Sequence, residues 1–188
     1  VLELIELLTG SVTEQEANLL YIAVTTDTGC FQYANTNAAT LRAAARLLEL
    51  GADNRRVSME FFRKISRARM ALVGHIYSDM RFFRGGQIAI AVVTRALIDA
   101  LQATEDDCDD IAGLPGRADG VVVSVTIREL TDGRSKISVR TPPEVDSCAI
   151  CAVYGGGGHK MASGCTLTCD PETAVEKILA AIDQVWPA

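Results

Sequence analysis

The sequence lacks a long apolar run, an excess of positive charge and any internal repeat. No apolar stretch reaches the roughly 18 residues of a membrane-spanning helix, so we expect no contact with a membrane. No secretory signal pattern is visible, and we therefore expect a cytoplasmic protein. The net charge of −6 at pH 7 argues against a protein that coats nucleic acid, because such a protein needs a broad basic surface. A local basic groove remains compatible with this charge.

Apolar residues are plentiful, at 48% of 188 residues, which suffices for a globular core in one domain or two small ones. A chain with this much core does not need a disulfide framework. Zinc ribbons place paired cysteines on tight knuckles, whereas Cys148 and Cys151 lie in a helix-like segment. We expect reduced, packed thiols and keep a zinc site as the alternative; the cysteines are Cys30, Cys108, Cys148, Cys151, Cys165 and Cys169.

A run of four glycines organises the later part of the chain: Gly155, Gly156, Gly157 and Gly158. Such a run carries a large entropy cost, so a folded domain keeps it only where the backbone adopts positive φ angles or approaches something closely. Successive free N–H groups of a glycine loop form a concave nest that suits an anion such as phosphate. His159 adds a donor that can carry charge near neutral pH, and Lys160 adds a fixed positive charge. A flexible surface turn is the alternative interpretation.

The residues around this loop predict one compact α/β domain. Asp132-Gly133 supplies the turn signal of a hairpin, and Asp170-Pro171 supplies the N-cap and first position of a terminal helix. We expect the acidic segment Glu105–Asp110 to be a solvated helix end or loop, because a calcium loop needs a ligand spacing that is absent. The predicted helices are Arg95–Thr104, Asp146–Tyr154 and Pro171–Val185, and the predicted strands are Gln87–Thr94, Val121–Leu130, Ser135–Thr141 and Cys165–Cys169.

In the first part of the chain, Thr13 and Glu16 form the pattern of a capping box, which predicts a helix over Glu14–Ala23. We expect Val24–Thr26 to be a short buried run that ends at Asp27. An unpaired carboxylate in that place would be costly to desolvate. It therefore either binds a hard metal ion or caps a turn, and the local residues favour neither.

Two further helices are predicted. Asn37–Leu50 has a wide apolar face and is followed by a glycine. Arg55–Met80 has the spacing of a long helix, with any interruption expected near Gly74. This helix is the most basic part of the chain, which indicates a solvated face or, alternatively, one wall of a groove that follows a phosphodiester backbone. We expect His75 to be a packed or surface histidine rather than a ligand.

Arg140 is a candidate for ligand binding. Alternation along its strand points Ile137 and Val139 to the core, and Ser138 and Arg140 away from it. A surface arginine on the polar face is the simpler interpretation, but a face opposite the core can also hold a substrate. One charge-assisted contact of this kind is worth about 1.5–3 kcal/mol.

Three motifs, in order, resemble the DHH phosphoesterase superfamily. The glycines followed by His159 and a small-x-Gly pattern resemble the signature of its substrate-binding domain. Ile137–Thr141 resembles its serine-x-arginine-serine strand, and Thr25–Phe31 resembles the last metal-binding motif of its catalytic domain. The most similar subgroup is the bifunctional nanoRNA exonuclease and 3′-phosphoadenosine-5′-phosphate phosphatase. The resemblance runs over essentially the whole chain but covers only the later part of the family's chain.

The resemblance implies an α/β fold in three parts: a remnant of the parallel-sheet catalytic domain at 1–53, a linker helix at 54–80, and a compact substrate-binding domain with a mixed sheet at 81–188. It also implies that Asp27 is a metal ligand and that two divalent ions, Mn²⁺ or Mg²⁺, serve the complete enzyme. Short single-stranded RNA or a phosphoadenosine nucleotide is the implied partner, and a homodimer is left open. The implied substrate contacts are Arg140, Thr141, Gly155, Gly156, Gly157, Gly158 and His159.

The departures from the family pattern bear on activity. The Asp-His-His triplet is absent, as are the earlier Asp-x-Asp motif and the separate aspartate. Because Asp27 alone cannot hold two metal ions, we expect the C-terminal portion of a longer phosphoesterase that acts on short RNA or 3′-phosphoadenosine-5′-phosphate. This portion would have no catalytic residue of its own and would hydrolyse little or nothing. The alternative is a stand-alone nucleotide or nucleic-acid binding module.

Overall fold

The chain divides into two compact units. A computed structural model describes residues 1–187, and its contacts separate Val1–Ile65 from a second unit that begins at Ser66. We call these the helical unit and the sheet unit. Among residues 1–187, no helix is both long enough and apolar enough to cross a membrane.

The helical unit packs its helices around a small apolar core. Tyr21 and Leu47 are its largest buried side chains, at 3% and 1% exposure. The capping box is confirmed, since the Glu16 amide donates to Thr13 Oγ1 at 3.3 Å and the Thr13 amide donates to Glu16 Oε2 at 2.8 Å. The helices are α1 (Leu2–Thr9), α2 (Glu14–Asp27), α3 (Ala38–Glu49) and α4 (Asn54–Ser58).

Helix α2 is longer than the sequence predicts. Val24–Thr26 does not form a separate buried run, because the helix continues to Asp27, and Thr26 is exposed. The hydroxyl groups of Thr25 and Thr26 each donate to a carbonyl oxygen four residues earlier, at 2.8 Å. These bonds satisfy the hydroxyl groups inside the helix. The described residues 1–65 contain helices and no strand.

The long helix predicted at Arg55–Met80 is interrupted, but not at Gly74. Helix α4 passes into a π-helical turn at Met59–Arg63, and Lys64 then adopts an extended conformation. A new helix, α5 (Arg67–Asp79), begins where Ser66 Oγ accepts a hydrogen bond from the Arg69 amide at 2.9 Å. The break therefore falls between the two units.

The sheet unit is built on six strands in the order β1-β2-β3-β4-β6-β5. The β2–β3 pair is parallel and the other four pairs are antiparallel, so the predicted mixed sheet is confirmed. The strands are β1 (Arg81–Phe83), β2 (Ile88–Val93), β3 (Val123–Glu129), β4 (Ser135–Arg140), β5 (Gly157–His159) and β6 (Ala162–Leu167). The remaining helices are α6 (Arg95–Ala100), α7 (Ser147–Ala152) and α8 (Pro171–Val185).

Both faces of β2 are buried. On one face, Ile88 and Ile90 join the core formed by β3, β4, α7 and α8. On the other face, Ala91 and Val93 pack in a cluster with Leu72 and Ile76 of α5. The second half of the predicted linker helix is therefore part of the sheet unit's core. The domain boundaries at residues 53 and 80 stay a prediction.

Candidate functional site

The strand register brings two predicted ligand contacts onto one face of the sheet. Directly paired residues project to the same face. Arg140 of β4 pairs with Ala162 of β6, and Ala162 pairs with His159 of β5. Arg140 and His159 are therefore two strand spacings apart, about 10 Å between their Cα atoms. They share the face opposite Val139, which is fully buried in the core.

The neighbouring row on this face consists of small residues. Thr126 pairs with Ser138, Ser138 with Gly164, and Gly164 with Gly157. Glycine leaves the backbone itself as the surface, so a ligand can approach the sheet closely beside Arg140 and His159. This part of the sheet surface therefore carries only small side chains, with the guanidinium group of Arg140 on one side and the imidazole of His159 on the other.

The glycine run is organised differently from a nest of free N–H groups. The Gly155 and Gly156 amides donate to the carbonyls of Ala152 and Cys151, both at 3.0 Å, and so close the end of α7. Gly157 and Gly158 then form β5, the outermost strand of the sheet. The expected anion nest is thus replaced by a helix cap followed by an edge strand.

The prediction that these positions require glycine is confirmed at three of them. Gly155 and Gly158 have positive φ angles of 70° and 145°. A Cβ atom on Gly156 would lie 2.4 Å from both the Gly164 carbonyl oxygen and the Cβ of Cys165, and one on Gly158 would lie 2.6 Å from a main-chain oxygen. A Cβ atom on Gly157 would meet nothing within 4 Å. Every glycine of the run except Gly157 therefore serves packing or chain direction.

Arg140 is held by the main chain and not by a carboxylate. Its Nη1 donates to the Val139 carbonyl at 3.0 Å. Among residues 1–187, no acidic side chain lies within ion-pair distance of it. The rest of its hydrogen-bonding fork can serve a ligand, since a guanidinium group carries five N–H donors.

Thr141, also predicted as a substrate contact, is used inside the protein. Its hydroxyl group is buried and donates to the Val145 carbonyl at 2.7 Å, with the Lys160 carbonyl at 3.3 Å. The Ser147 hydroxyl donates to the His159 carbonyl at 3.1 Å, and the Ser147 amide donates to the Lys160 carbonyl at 2.8 Å. These bonds fix the main chain around His159 while its ring stays exposed.

A surface cavity of about 200 Å³ continues from Arg140 along β3 and β4. Two more basic residues line it, Lys136 and Arg128, and they pair directly with each other. Sequence reasoning did not select them. The signal that could have found them was the strand alternation, which places Lys136 four residues before Arg140 and therefore on its face. The far wall is the loop of residues 108–112.

Asp107, the residue before this loop, corrects the expectation that the acidic segment Glu105–Asp110 is solvated throughout. Asp107 is buried, and its carboxylate accepts hydrogen bonds from the Ser66 hydroxyl and from the amide and hydroxyl of Thr104. The Ser66 hydroxyl and the Thr104 amide hold the pKa of Asp107 below its ordinary value. Asp107 is therefore a structural anchor rather than a solvated charge.

The six cysteines are free thiols. Cys151 and Cys165 are buried beneath the glycine run, and the Ser163 hydroxyl donates to Cys151 Sγ at 3.1 Å. The hydrogen bond with Cys151, together with burial, raises the pKa of the Cys165 thiol. Within the described part of the chain, no group of three His, Cys, Asp or Glu side chains could hold a metal ion.

Asp27 lies exposed at the end of α2 in the helical unit. Its Oδ2 accepts a hydrogen bond from Asn35 Nδ2 at 3.0 Å, and the same amide group contacts its carbonyl oxygen at 3.1 Å. The bond fixes the carboxylate without making it a turn cap. Over residues 1–187 the donor set does not fit a two-metal centre, because Asp27 has no partner ligands around it. Its role as a metal ligand stays a prediction.

The fold and the glycine–histidine strand agree with a known class of protein. The DHHA1 domain matches residues 85–186, which is more than half of the chain. The chain therefore belongs to the DHHA1 family, a C-terminal domain of DHH phosphoesterases.

Two relatives with curated names indicate which members of this family the chain is similar to. The chain is 36% identical over 184 residues to the bifunctional oligoribonuclease and PAP phosphatase NrnA of Thermus thermophilus, covering 97% of this chain and 54% of the relative. It is 32% identical over 152 residues to NrnA of Mycoplasma genitalium, covering 81% and 46%. The chain thus spans about half the length of the curated relatives it matches.

A solved structure has a similar fold. An exopolyphosphatase-related protein from Bacteroides fragilis superposes with a TM-score of 0.84 at 25% identity. The superposition covers 92% of this chain and 51% of that one. The α/β fold with its mixed sheet is therefore the fold of the corresponding part of this relative.

Proposed function

We propose that this chain supplies the substrate-binding part of a metal-dependent phosphoesterase acting on short RNA oligonucleotides, on 3′-phosphoadenosine-5′-phosphate, or on both. The observation that carries the proposal is the cross-strand row that holds Arg140 and His159 on one face, two strand spacings or about 10 Å apart. Both relatives named NrnA carry oligoribonuclease and PAP phosphatase in their names.

In this proposal the phosphate binds between the two side chains. Arg140 presents a planar fork that matches the oxygens of a phosphate group. His159 donates from its exposed ring, and the small residues at Gly157 and Gly164 let the ligand lie close to the sheet. Lys136 extends the basic strip along β4 toward the rest of an oligonucleotide, whereas the neighbouring Arg128 is paired with Glu105 at 2.7 Å.

Hydrolysis is assigned to the complete enzyme. Two divalent ions, Mn²⁺ or Mg²⁺, would there supply an activated water and offset the charge of the phosphate. Asp27 is proposed as one ligand. The other ligands would belong to the part of the complete enzyme that carries the Asp-His-His triplet, since the donor set of residues 1–187 does not fit two ions. A cytoplasmic location is part of the same proposal.

Binding and turnover of the 188-residue chain test this function. We expect measurable binding of 3′-phosphoadenosine-5′-phosphate by isothermal titration calorimetry, and no turnover in the presence of Mn²⁺. Arg140→Ala and His159→Ala should each weaken binding roughly tenfold, the effect of losing a charge-assisted contact. Arg81→Ala is the matched control, because Arg81 lies on β1 at the opposite edge of the sheet. Binding that is unchanged by Arg140→Ala would contradict the proposal.

A stand-alone binding module is the second candidate. It is favoured because the whole Arg140–His159 row lies within the sheet unit, whereas Asp27 belongs to the helical unit. Asp27 separates the two functions, because a binding module does not need this carboxylate. If the protein isolated from its native cells has Mn²⁺-dependent activity that Asp27→Asn abolishes, the phosphoesterase is supported and the binding module is excluded.

A further inference from the structure

The cavity beside Arg140 carries charges of both signs. Its strand wall includes Arg128, Lys136 and Arg140, whereas its loop wall includes Asp109 and Asp110. A site for phosphate alone gains nothing from two carboxylates, since they repel the anion. The mixed lining instead suits a ligand that offers an anionic group at one end and hydroxyl donors at the other.

The loop wall is held by hydrogen bonds although it has little regular secondary structure. Arg69 Nη1 donates to the main-chain carbonyls of Asp107 and Asp109 at 3.0 and 2.6 Å. Thr126 Oγ1 on β3 donates to the Ile111 carbonyl at 3.4 Å, and Ile111 is buried. The buried Asp107 carboxylate adds the anchor described above. The segment is therefore held at both ends and at its centre.

Asp109 and Asp110, two exposed residues that line the cavity, carry carboxylates that the protein itself does not use. Among the residues that the structure describes, no donor bonds to the side chain of Asp109 or Asp110, whereas the nearby Asp107 carboxylate is fully bonded. Asp110 also has a positive φ angle of 57°, which turns the chain at this point. Two residues of the cavity lining therefore keep carboxylates that are available to a ligand beside Arg140.

We propose that Asp109 and Asp110 accept hydrogen bonds from the ribose hydroxyl groups of the bound nucleotide and make this face selective for ribonucleotides over deoxyribonucleotides. Carboxylates are common acceptors for a ribose 2′-hydroxyl group. The 2′-hydroxyl group is also the feature by which a protein distinguishes RNA from DNA at a given position. This inference rests on the proposed function, because it requires a nucleotide whose phosphate lies at Arg140.

The test compares two ligands on the same protein. The dissociation constants of 5′-phosphorylated riboadenosine and deoxyriboadenosine trinucleotides are measured by titration calorimetry with the 188-residue chain. We expect the ribonucleotide to bind about tenfold more tightly, the effect of one hydrogen bond to a charged acceptor. Asp109→Asn and Asp110→Asn should reduce this ratio toward one. Asparagine tolerates the positive φ angle at position 110, so the loop keeps its course.

A control variant distinguishes hydrogen bonding to the ribose from a general effect of negative charge on the ligand. Asp106→Asn removes the same charge from the same segment, but Asp106 does not line the cavity. It should change both affinities equally and leave the ratio intact. If Asp110→Asn strengthens both ligands equally, the carboxylates only repel phosphate and this inference is wrong.

The possible results also distinguish a failure of this inference from a failure of the proposed function. Wild-type protein that binds both trinucleotides equally, with binding lost in Arg140→Ala, contradicts the ribose selectivity and keeps the proposed function. Wild-type protein that binds neither ligand contradicts both. Asp110→Gly serves as a second variant, because glycine accepts the positive φ angle and removes the acceptor entirely.

Discussion

Arg140 and His159 lie in one cross-strand row of the sheet, separated only by Ala162. They are far apart in the sequence, and the antiparallel pairing of β4, β6 and β5 brings them together. The side chain between them is a single methyl group, so nothing tall divides the space. A ligand in this space would touch a side chain from β4 and one from β5, and the β6 backbone would lie beneath it.

The geometry of the Arg140 side chain should matter as well as its charge. Arg140→Lys keeps the charge but loses the two-pronged donor arrangement, so we expect binding of 3′-phosphoadenosine-5′-phosphate to weaken about fivefold, less than in Arg140→Ala. Titration calorimetry of both variants gives the comparison. Arg81→Lys on β1 is the matched control and should bind as wild type. Equal losses in the two Arg140 variants would show that the charge alone contributes nothing to binding and would contradict the expected partial retention in Arg140→Lys.

Two adjacent glycines should respond differently to the same substitution. Gly156→Ala places a Cβ atom 2.4 Å from the Gly164 carbonyl oxygen, whereas Gly157→Ala meets nothing within 4 Å. Overpacking of this kind costs about 1–3 kcal/mol of unfolding free energy. We therefore expect urea denaturation to show a clear loss for Gly156→Ala and little change for Gly157→Ala. Equal stability of the two variants would contradict the close approach of the loop to β6.

Acid should weaken the anchor of the loop of residues 108–112. The pKa of Asp107 is lowered in the folded protein, chiefly by the hydrogen bond from Ser66. Its contribution to stability is therefore complete above its ordinary pKa of 3.8 and is lost as the pH falls through the lower folded value. Urea unfolding at pH 7 and pH 3 should show a smaller difference for Asp107→Asn than for wild type.

Asp106→Asn is the control for this measurement. Asp106 is an exposed neighbour in the same turn, and its substitution should leave the pH dependence of the unfolding free energy as it is in wild type. A pH dependence that is identical in wild type and Asp107→Asn would mean that the carboxylate does not hold the loop.

Truncation should show where the sheet unit begins. A fragment that starts at Ser66 keeps α5, whereas one that starts at Arg81 removes Leu72 and Ile76, which are 0% and 2% exposed. Losing one such side chain typically costs about 2–5 kcal/mol. We expect cooperative thermal unfolding, followed by circular dichroism, for the fragment from Ser66 and its loss for the fragment from Arg81. Equal melting temperatures would favour the predicted boundary at residue 81.

Local signals in the sequence were sufficient for the elements that local chemistry controls. Pro171–Val185 is a helix with the predicted bounds, and Asp170 caps it by accepting from the Thr173 amide at 3.0 Å. The hairpin of β3 and β4 turns at Gly133, which has the positive φ angle that an Asp-Gly signal indicates. In both cases the residues that specify the structure are neighbours in the chain.

Features that depend on distant pairing could not be predicted in the same way. The row of Arg140 and His159 requires the order of strands β4, β6 and β5, which no pattern in the chain reveals. The break at Lys64–Ser66 has no glycine or proline to mark it, so the sequence pattern favoured Gly74 instead. Helix α2 continues through Val24–Thr26, where two threonine hydroxyl groups bond back to carbonyl oxygens of the helix. Because β-branched residues have a low helix propensity, the local sequence predicts an earlier end of this helix.

The edge strand of glycines has a consequence for how this surface can change over generations. A glycine codon can mutate only toward residues that add atoms, so every missense change at Gly156 or Gly158 pushes in the same physical direction, into β6. Gly157 differs, because an added side chain there projects into open space. We therefore expect related sequences to vary at Gly157, where a side chain has room, and to keep glycine at Gly156 and Gly158, where it has none.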